Sequence, residues 1–153
     1  MIKRLENSDL EIAKKIYSVF QSSYKVEAKL LKAVDFPPLK RPIDNFINSK
    51  TLFFGYLKNE ELSGVVEISH YKDYTHINSL VVEPNFFRQG IASSLIEFVF
   101  ETFESKLFTV ETGLENGPAK ELYRKFGFRE VMQWDTDHGV RKIKFELRNK
   151  NDG

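Results

Sequence analysis

The chain has 153 residues, a net charge of +1 at pH 7 and no cysteine. A chain of this length forms one domain with a substantial core, and its near-neutral charge gives no overall attraction for nucleic acid or for an anionic membrane surface. The near-neutral charge favours a small partner. The lack of cysteine excludes disulfides, thiolate catalysis and cysteine-bound metals, and no metal centre is expected. The lack of an apolar leader or membrane-length segment predicts a cytoplasmic location.

The N-terminal part of the chain is predicted to be mainly helical. After a short strand at residues 2–5, Ser8 and Glu11 have the spacing of a capping box, which predicts a helix that begins there and ends near Phe20. Residues 24–48 are predicted to form a helix-loop-helix segment, because the helical pattern "VEAKLLKAV" is followed by three prolines in "DFPPLKRP".

The remaining residues are predicted to form most of a central sheet. Residues 51–57 and 62–71 are rich in β-branched and aromatic side chains and flank the polar turn "KNEE", which predicts a hairpin with residues 75–82 as a third antiparallel strand. The elements after it are predicted to be a helix at 89–103, a strand at 107–112, a helix at 118–126 and strands at 128–134 and 140–147. We therefore expect a single α+β domain over residues 1–153, with a mostly antiparallel sheet of about seven strands and about four helices.

The segment "VVEPNFFRQGIASSLIEFVF", residues 81–100, leads from a strand into a helix through Arg88 and Gly90. The first turn of such a helix has backbone N–H groups without intrahelical partners, and the helix dipole adds partial positive charge. Gly90 permits close approach to the backbone and Arg88 adds a full charge, so this terminus is predicted to bind pyrophosphate. The alternative is that Gly90 only eases helix packing and Arg88 is a solvated loop cation.

A second strand-to-helix unit is "VETGLENGPAKELYRKFGF", residues 110–128, whose helix is predicted to end at Gly127 in a left-handed cap. Asn116 and Tyr123 lie on this unit and could border the same cleft as the anion site. The simpler interpretation of each residue alone is that Asn116 caps the helix and that Tyr123 is a half-buried aromatic ring.

Together the two segments resemble the GNAT superfamily of acetyl-CoA-dependent N-acetyltransferases. The pattern V-x-P-x-x-[QR]-x-x-G-x-[GA] is matched by "VEPNFFRQGIA" at residues 82–92, except that Phe87 stands where Gln or Arg is usual. The pattern N-x-x-[AS]-x-x-x-Y-x-x-x-G-F is matched from Asn116 to Phe128. The resemblance is strong over residues 75–130, and Arg88 is expected to take over the polar phosphate contact that Phe87 cannot make.

The resemblance implies a GNAT fold with residues 75–130 as the acetyl-CoA-binding core. It implies that the strand ending at Leu80, Val81 and Val82 splays from its neighbour and leaves backbone groups for the thioester carbonyl and the pantetheine amides. Asn116 would contact the pantetheine arm, and Tyr123 would lie near the thioester sulfur as the general acid. The residues implied to cradle the pyrophosphate are Arg88, Gln89, Gly90, Ile91, Ala92 and Ser93.

The implied reaction moves the acetyl group of acetyl-CoA to a primary amine by direct attack in a ternary complex. The amine must lose a proton before it attacks, so the reaction needs a base. The resemblance implies two candidates at positions where family members carry Glu, namely Glu111, five residues before Asn116, and His76, four residues before Leu80. A water relay is the third alternative, and both residues also fit purely structural roles on solvent-facing strand positions.

The motifs do not specify the acceptor amine. Residues 24–48 are expected to cover the acceptor side, because loops outside the cofactor motifs carry specificity. Tyr24, Glu27, Asp35 and Phe36 are the candidate substrate-binding residues, and the two carboxylates could attract a cationic amine. Alternatively, Phe36 belongs to the core and Asp35 caps a turn.

Two rival functions remain at this point. One is a non-catalytic acyl-CoA-binding regulatory module, which would not need Tyr123 or a base. The other is a Rossmann-type nucleotide-binding domain, against which the predicted hairpin and the missing G-x-G-x-x-G motif both argue. The expected partners are acetyl-CoA and an amine acceptor, with no nucleic acid and no membrane, and the protein is expected to be a monomer or a homodimer.

Overall fold

Within residues 1–149, which the computed structural model describes, the chain forms seven strands and four α-helices. They are β1 (Ile2–Leu5), α1 (Leu10–Leu30), α2 (Ile43–Asn48), β2 (Leu52–Lys58), β3 (Glu61–His70), β4 (Thr75–Val82), α3 (Ile91–Thr102), β5 (Leu107–Gly113), α4 (Gly117–Lys125), β6 (Arg129–Asp135) and β7 (Arg141–Arg148). No helix among these residues is long and apolar enough to cross a membrane.

The seven strands form one sheet in the order β1-β2-β3-β4-β5-β7-β6. Neighbouring strands are antiparallel except for β4 and β5, which are parallel and are connected through α3. The predicted β2–β3 hairpin is confirmed, and its turn residues Asn59 and Glu60 both have positive φ, at 51° and 66°. The prediction of a mostly antiparallel α+β sheet is therefore confirmed, and the all-parallel Rossmann alternative is wrong.

Helix α1 begins differently from its prediction. Its N-cap is Asp9 rather than Ser8, and the Asp9 carboxylate accepts hydrogen bonds from the backbone N–H groups of Glu11 and Ile12 at 2.9 and 3.1 Å. A carboxylate satisfies these unpaired N–H groups and also interacts favourably with the positive end of the helix dipole.

The predicted end of the first helix near Phe20 is also wrong, because α1 continues to Leu30. No glycine or proline interrupts the intervening residues, and the Tyr24 ring packs on Phe20 with centroids 5.8 Å apart. The first helix of the predicted 24–48 segment is therefore the end of α1. The rest of that segment is a 3-10 turn at Pro37–Lys40 followed by α2.

The sheet carries an apolar cluster on each face. Successive strand residues alternate between them, so Phe53 and Val65 pack under α1 and α2, whereas Phe54 and Val66 pack under α3 and α4. The end of α1 also reaches the end of β5, where a side chain at Gly113 would come within 2.6 Å of the Leu31 side chain. These contacts fix the last turns of α1 beside the carboxyl end of β5.

The parallel pair β4–β5 is incomplete. Residues Thr75–Ile77 pair with Phe108–Val110, and beyond this point the two strands separate. The separation begins at a bulge in β4, because Ile77 and Ser79 oppose consecutive residues of β3 and leave Asn78 as the extra residue. The splayed sheet that the resemblance implied is present.

Candidate active site

The gap between β4 and β5 opens into a cleft of about 1170 Å³. Its floor is formed by the separated ends of the two strands, and its walls come from α1, the loop before α3, and α4. Of the predicted cofactor-binding residues, those that line the cleft are Leu80, Val81, Val82, Arg88, Gly90, Ile91, Ala92, Ser93, Asn116 and Tyr123. The splay thus brings together residues from both motifs.

The N-terminus of α3 faces this cleft without a side-chain cap. Its N-cap is Gly90, whose φ of 77° lies in the left-handed region, and a Cβ atom built there would meet nothing within 4 Å. Arg88 also has a positive φ, at 64°. The helix terminus thus has no side-chain cap and has open space beside Gly90, which is a suitable environment for an anionic ligand.

Gln89 is the one predicted pyrophosphate residue, among those described, that does not line the cleft. Its side-chain oxygen instead accepts a hydrogen bond from the Lys58 ammonium group. Phe87 lines the cleft and is 42% exposed, so the position where the family pattern has Gln or Arg presents an aromatic ring here.

Tyr123 lies on α4 and is only 5% exposed. Its ring packs against Phe128 and Phe145 with centroid distances of 5.7 and 5.9 Å. Burial raises the pKa of the Tyr123 hydroxyl, and the nearby Glu27 carboxylate and Tyr24 raise this pKa further. The phenol therefore keeps its proton at neutral pH and can act as a proton donor.

Asn116 connects α4 to α1. Its Oδ1 accepts a hydrogen bond from the Ala119 N–H at 3.2 Å, so it is the N-cap of α4 as the simpler interpretation held. Its Nδ2 donates to Glu27 Oε1 at 2.7 Å and approaches Thr112 Oγ1 at 3.4 Å. The side chain implied to contact pantetheine thus also holds a carboxylate that lies 89 residues away in the chain.

Glu27 is half-buried in the cleft wall. Burial raises the pKa of the Glu27 carboxyl, while the hydrogen bonds from Asn116 and Thr112 and the charge of Lys142 partly oppose that rise. Sequence reasoning had assigned Glu27 only to the acceptor side. Its bond to Asn116 carried no sequence signal, because the two residues belong to elements that are far apart in the chain.

Glu111 and His76, the two predicted bases, lie on neighbouring strands. Glu111 lines the cleft and forms an ion pair with Lys142 at 3.3 Å. The His76 Nδ1 is 2.6 Å from Thr109 Oγ1, and His76 lines a separate, smaller cavity of about 300 Å³ that Glu111 also borders. Burial lowers the pKa of His76, although the Glu111 carboxylate partly opposes this effect.

The predicted acceptor-side residues divide into two groups. Tyr24, Glu27 and Phe36 line the cleft, and the rings of Tyr24 and Phe36 pack with centroids 5.9 Å apart. Asp35 does not line the cleft, since its exposed carboxylate forms an ion pair with Lys40 at the surface.

Sequence reasoning did not identify a buried ion pair beneath the acceptor side. Arg41 donates two hydrogen bonds to the Glu67 carboxylate, at 2.8 and 3.0 Å, and its guanidinium group lies 4.0 Å from the centre of the Phe46 ring. Thr51 and Ser79 also donate to Glu67, at 2.7 and 3.0 Å. This network fastens the segment before α2 to strands β3 and β4.

Comparison with known proteins identifies the family. Residues 13–128 match the sequence profile of the acetyltransferase (GNAT) family, which is most of the chain. The chain belongs to the GNAT family. Within the segment that matches the family profile, it has the splayed sheet and the cleft-facing α3 terminus.

Similar proteins include both a curated relative and solved structures. The UPF0157 protein YqkA of Bacillus subtilis is 31% identical over 151 residues, which cover 98% of this chain but 44% of YqkA. The chain thus spans less than half the length of the curated relative it matches.

Two solved structures share the fold over nearly the whole chain. The ribosomal-protein-S18-alanine N-acetyltransferase of Escherichia coli has a TM-score of 0.76 at 22% identity, with 99% of this chain and 97% of that chain covered. The PaiA N-acetyltransferase of Thermoplasma acidophilum, solved with coenzyme A, has a TM-score of 0.74 at 16% identity, with 97% and 99% covered. At these identities the similarity establishes the fold.

Proposed function

We propose that this protein is an N-acetyltransferase that transfers the acetyl group of acetyl-CoA to a primary amine by direct attack in a ternary complex. The observation that carries the proposal is that one cleft contains both the uncapped terminus of α3 and the buried, protonated Tyr123. The first suits a phosphate-bearing acyl donor, and the second suits a leaving group that needs a proton.

The residues of the cleft fit acetyl-CoA. The α3 terminus offers backbone N–H groups to the pyrophosphate, and the open space at Gly90 leaves room for it. The unpaired ends of β4 and β5 offer backbone groups to the pantetheine amides and to the thioester carbonyl, where a fixed donor would stabilise the developing oxyanion. The PaiA N-acetyltransferase, which has the same fold, was solved in complex with coenzyme A, and this supports a coenzyme A thioester as the donor.

The chemistry then needs three proton transfers. A base takes a proton from the acceptor ammonium, and the amine nitrogen attacks the thioester carbon. The C–S bond breaks as Tyr123 donates its proton to the departing sulfur, and the second proton that the nitrogen loses restores Tyr123. Glu111, His76 and a water relay stay as predicted alternatives for the base in this scheme.

The test is a panel of acceptors assayed for CoA release. Polyamines, amino acids, small amines and peptides, including one with an N-terminal alanine, should be compared with acetyl-CoA alone. Amine-dependent CoA release is expected for at least one class. Tight CoA binding with no amine-dependent release would favour the alternative of a non-catalytic acyl-CoA-binding module, and no CoA binding would overturn both proposals.

A further inference from the structure

Glu27 lines the same cleft as Tyr123, the proposed proton donor. It comes from α1, on one wall of the cleft, whereas Tyr123 lies on α4. Asn116, the N-cap of α4, donates a hydrogen bond to Glu27 at 2.7 Å and so ties Glu27 to the helix that carries Tyr123. A proton acceptor and a proton donor thus face one reaction space.

One carboxylate oxygen of Glu27 accepts hydrogen bonds, and the other has no hydrogen-bond partner among the described residues. Asn116 and Thr112 both donate to Oε1, at 2.7 and 3.3 Å. Within residues 1–149 no hydrogen bond reaches Oε2, and no buried side-chain oxygen or nitrogen in that part of the chain lacks a partner. Oε2 is therefore accessible from the cleft, in an orientation fixed by the bonds to Oε1.

The two bases predicted from the sequence are less well placed. Glu111 is already paired with Lys142, so its charge is partly neutralised. His76 is bonded to Thr109 and lines the smaller cavity rather than the cleft that contains Tyr123. Glu27 is the carboxylate that combines a cleft position, an open oxygen and fixed orientation.

We propose, on the basis of the acetyltransferase function proposed above, that Glu27 is the general base that binds the acceptor ammonium group and removes its proton. In this step the N–H bond of the ammonium breaks and the proton moves to Glu27 Oε2, leaving a neutral amine whose lone pair attacks the thioester carbon. After the C–S bond breaks and Tyr123 protonates the sulfur, the proton still carried by the acetylated nitrogen is lost and restores Tyr123 through solvent. Glu27 releases its proton to solvent, so each turnover releases one proton.

The charges that face Glu27 suit this role. Tyr24 on the same helix and Tyr123 on α4 are both neutral at pH 7, as phenols are, and burial raises the pKa of each hydroxyl further. Lys142 on β7 is the cation that faces it, and Lys142 is itself paired with Glu111 on β5. Burial raises the pKa of the Glu27 carboxyl and so makes it a stronger base than a solvated glutamate.

The decisive variant is Glu27→Gln, with Glu11→Gln as its matched control. The substituted glutamine keeps an oxygen that can accept from Asn116, so the variant removes the charge and the basicity but not the link to α4. Glu11 is an exposed glutamate at the other end of α1, 77% exposed, and its change alters the net charge equally. Both variants should bind CoA as the wild type does.

With a good acceptor, kcat of Glu27→Gln is expected to fall by about 100-fold near pH 7, whereas Glu11→Gln should keep wild-type turnover. The loss should shrink as the pH rises from about 7 toward about 9.5, because the free amine then forms in solution without a base. Wild-type turnover in Glu27→Gln, or a loss that does not depend on pH, would overturn the role of Glu27. The absence of amine-dependent release from the wild type would instead overturn the proposed function and this role with it.

Discussion

At the scale of single residues, substitution of Tyr123 distinguishes an enzyme from a non-catalytic binding module. Tyr123→Phe keeps the packing against Phe128 and Phe145 and deletes only the proton that the side chain can donate. Turnover with a good acceptor should fall by about 100-fold, while the CoA dissociation constant should hardly change. Steady-state rates and calorimetric titration on the same preparation measure both quantities.

Full turnover in Tyr123→Phe would mean that Tyr123 has only a structural role. If Tyr123 is only a packing aromatic, the phenylalanine variant keeps full turnover and shows at most a small shift in melting temperature. Wild-type rates in this variant would remove Tyr123 from the mechanism.

The Arg41–Glu67 pair gives a second prediction at this scale. Glu67 is 3% exposed, so Arg41→Met, which preserves much of the aliphatic volume, would leave a buried carboxylate without its cation. We expect a loss of about 3–5 kcal/mol in the free energy of unfolding, measured by urea titration.

An exposed arginine provides the control for this measurement. Arg141 pairs with Asp135 at 2.8 Å, and both side chains are largely solvent-accessible. Arg141→Met should change the free energy of unfolding by less than about 1 kcal/mol. Equal losses in the two variants would mean that burial of Glu67 does not govern the strength of its pair.

The sequence predicted single site residues only where the interacting residues are close together in the chain. The motif spacing identified Asn116 and Tyr123 as cleft residues, because each motif is confined to one strand-to-helix unit. The Asn116–Glu27 and Arg41–Glu67 bonds join residues that are 89 and 26 positions apart. Such pairs depend on how α1 and the segment before α2 dock on the sheet, and no local pattern specifies this.

At the scale of elements, the N-terminus of α3 is the part that a single substitution tests best. Gly90→Val would place a branched side chain in the open space that the pyrophosphate is proposed to occupy, so CoA binding should be lost while the fold persists. Calorimetric titration with CoA measures the affinity, and circular dichroism measures the fold.

Backbone strain must be separated from the loss of space, because Gly90 has a φ of 77° that valine tolerates poorly. Gly139→Val is the matched control, since Gly139 has a φ of 83° and an added Cβ atom there would also meet nothing within 4 Å. The control should lose a similar amount of stability and keep CoA affinity. Unchanged CoA affinity in Gly90→Val would mean that this helix terminus is not the phosphate site.

The elements themselves were predicted well where their signals are local. The β2–β3 hairpin, strand β4 and helices α3 and α4 follow from residue periodicity and turn chemistry within short windows. The extent of α1 was underestimated, because the serines and lysine after Phe20 weaken the helical pattern, although the helix continues to Leu30. The parallel pairing of β4 with β5 could not be read from either strand, since it depends on the direction of the α3 crossover.

At the scale of the whole molecule, two groups make stability depend on pH in opposite directions. The folded-state pKa of His76 is lowered from 6.5, so the unfolded chain takes up a proton first and stability falls as the pH drops below about 6.5. The folded-state pKa of Glu27 is raised from 4.5, so its contribution is lost as the pH rises through the folded value.

His76→Gln tests the acidic side of this dependence. The substituted glutamine can still bond Thr109 but does not titrate, so the fall in melting temperature between about pH 7 and about pH 5.5 should be smaller than in the wild type. Thermal melts at both pH values measure the difference. An equal fall in the two proteins would show that other groups carry the acidic dependence.

Strand β7 lies between β5 and β6, although it is the last strand to be synthesised in the described part of the chain. Until it emerges, β6 has no partner and β5 keeps an open edge, and the core lacks Ile143 and Phe145, which are fully buried. The nascent protein therefore carries both motifs, the second of which ends at Phe128, before the sheet is complete. A ligand can meet an assembled cleft only after the final strand has inserted, which happens when translation of this domain is nearly complete.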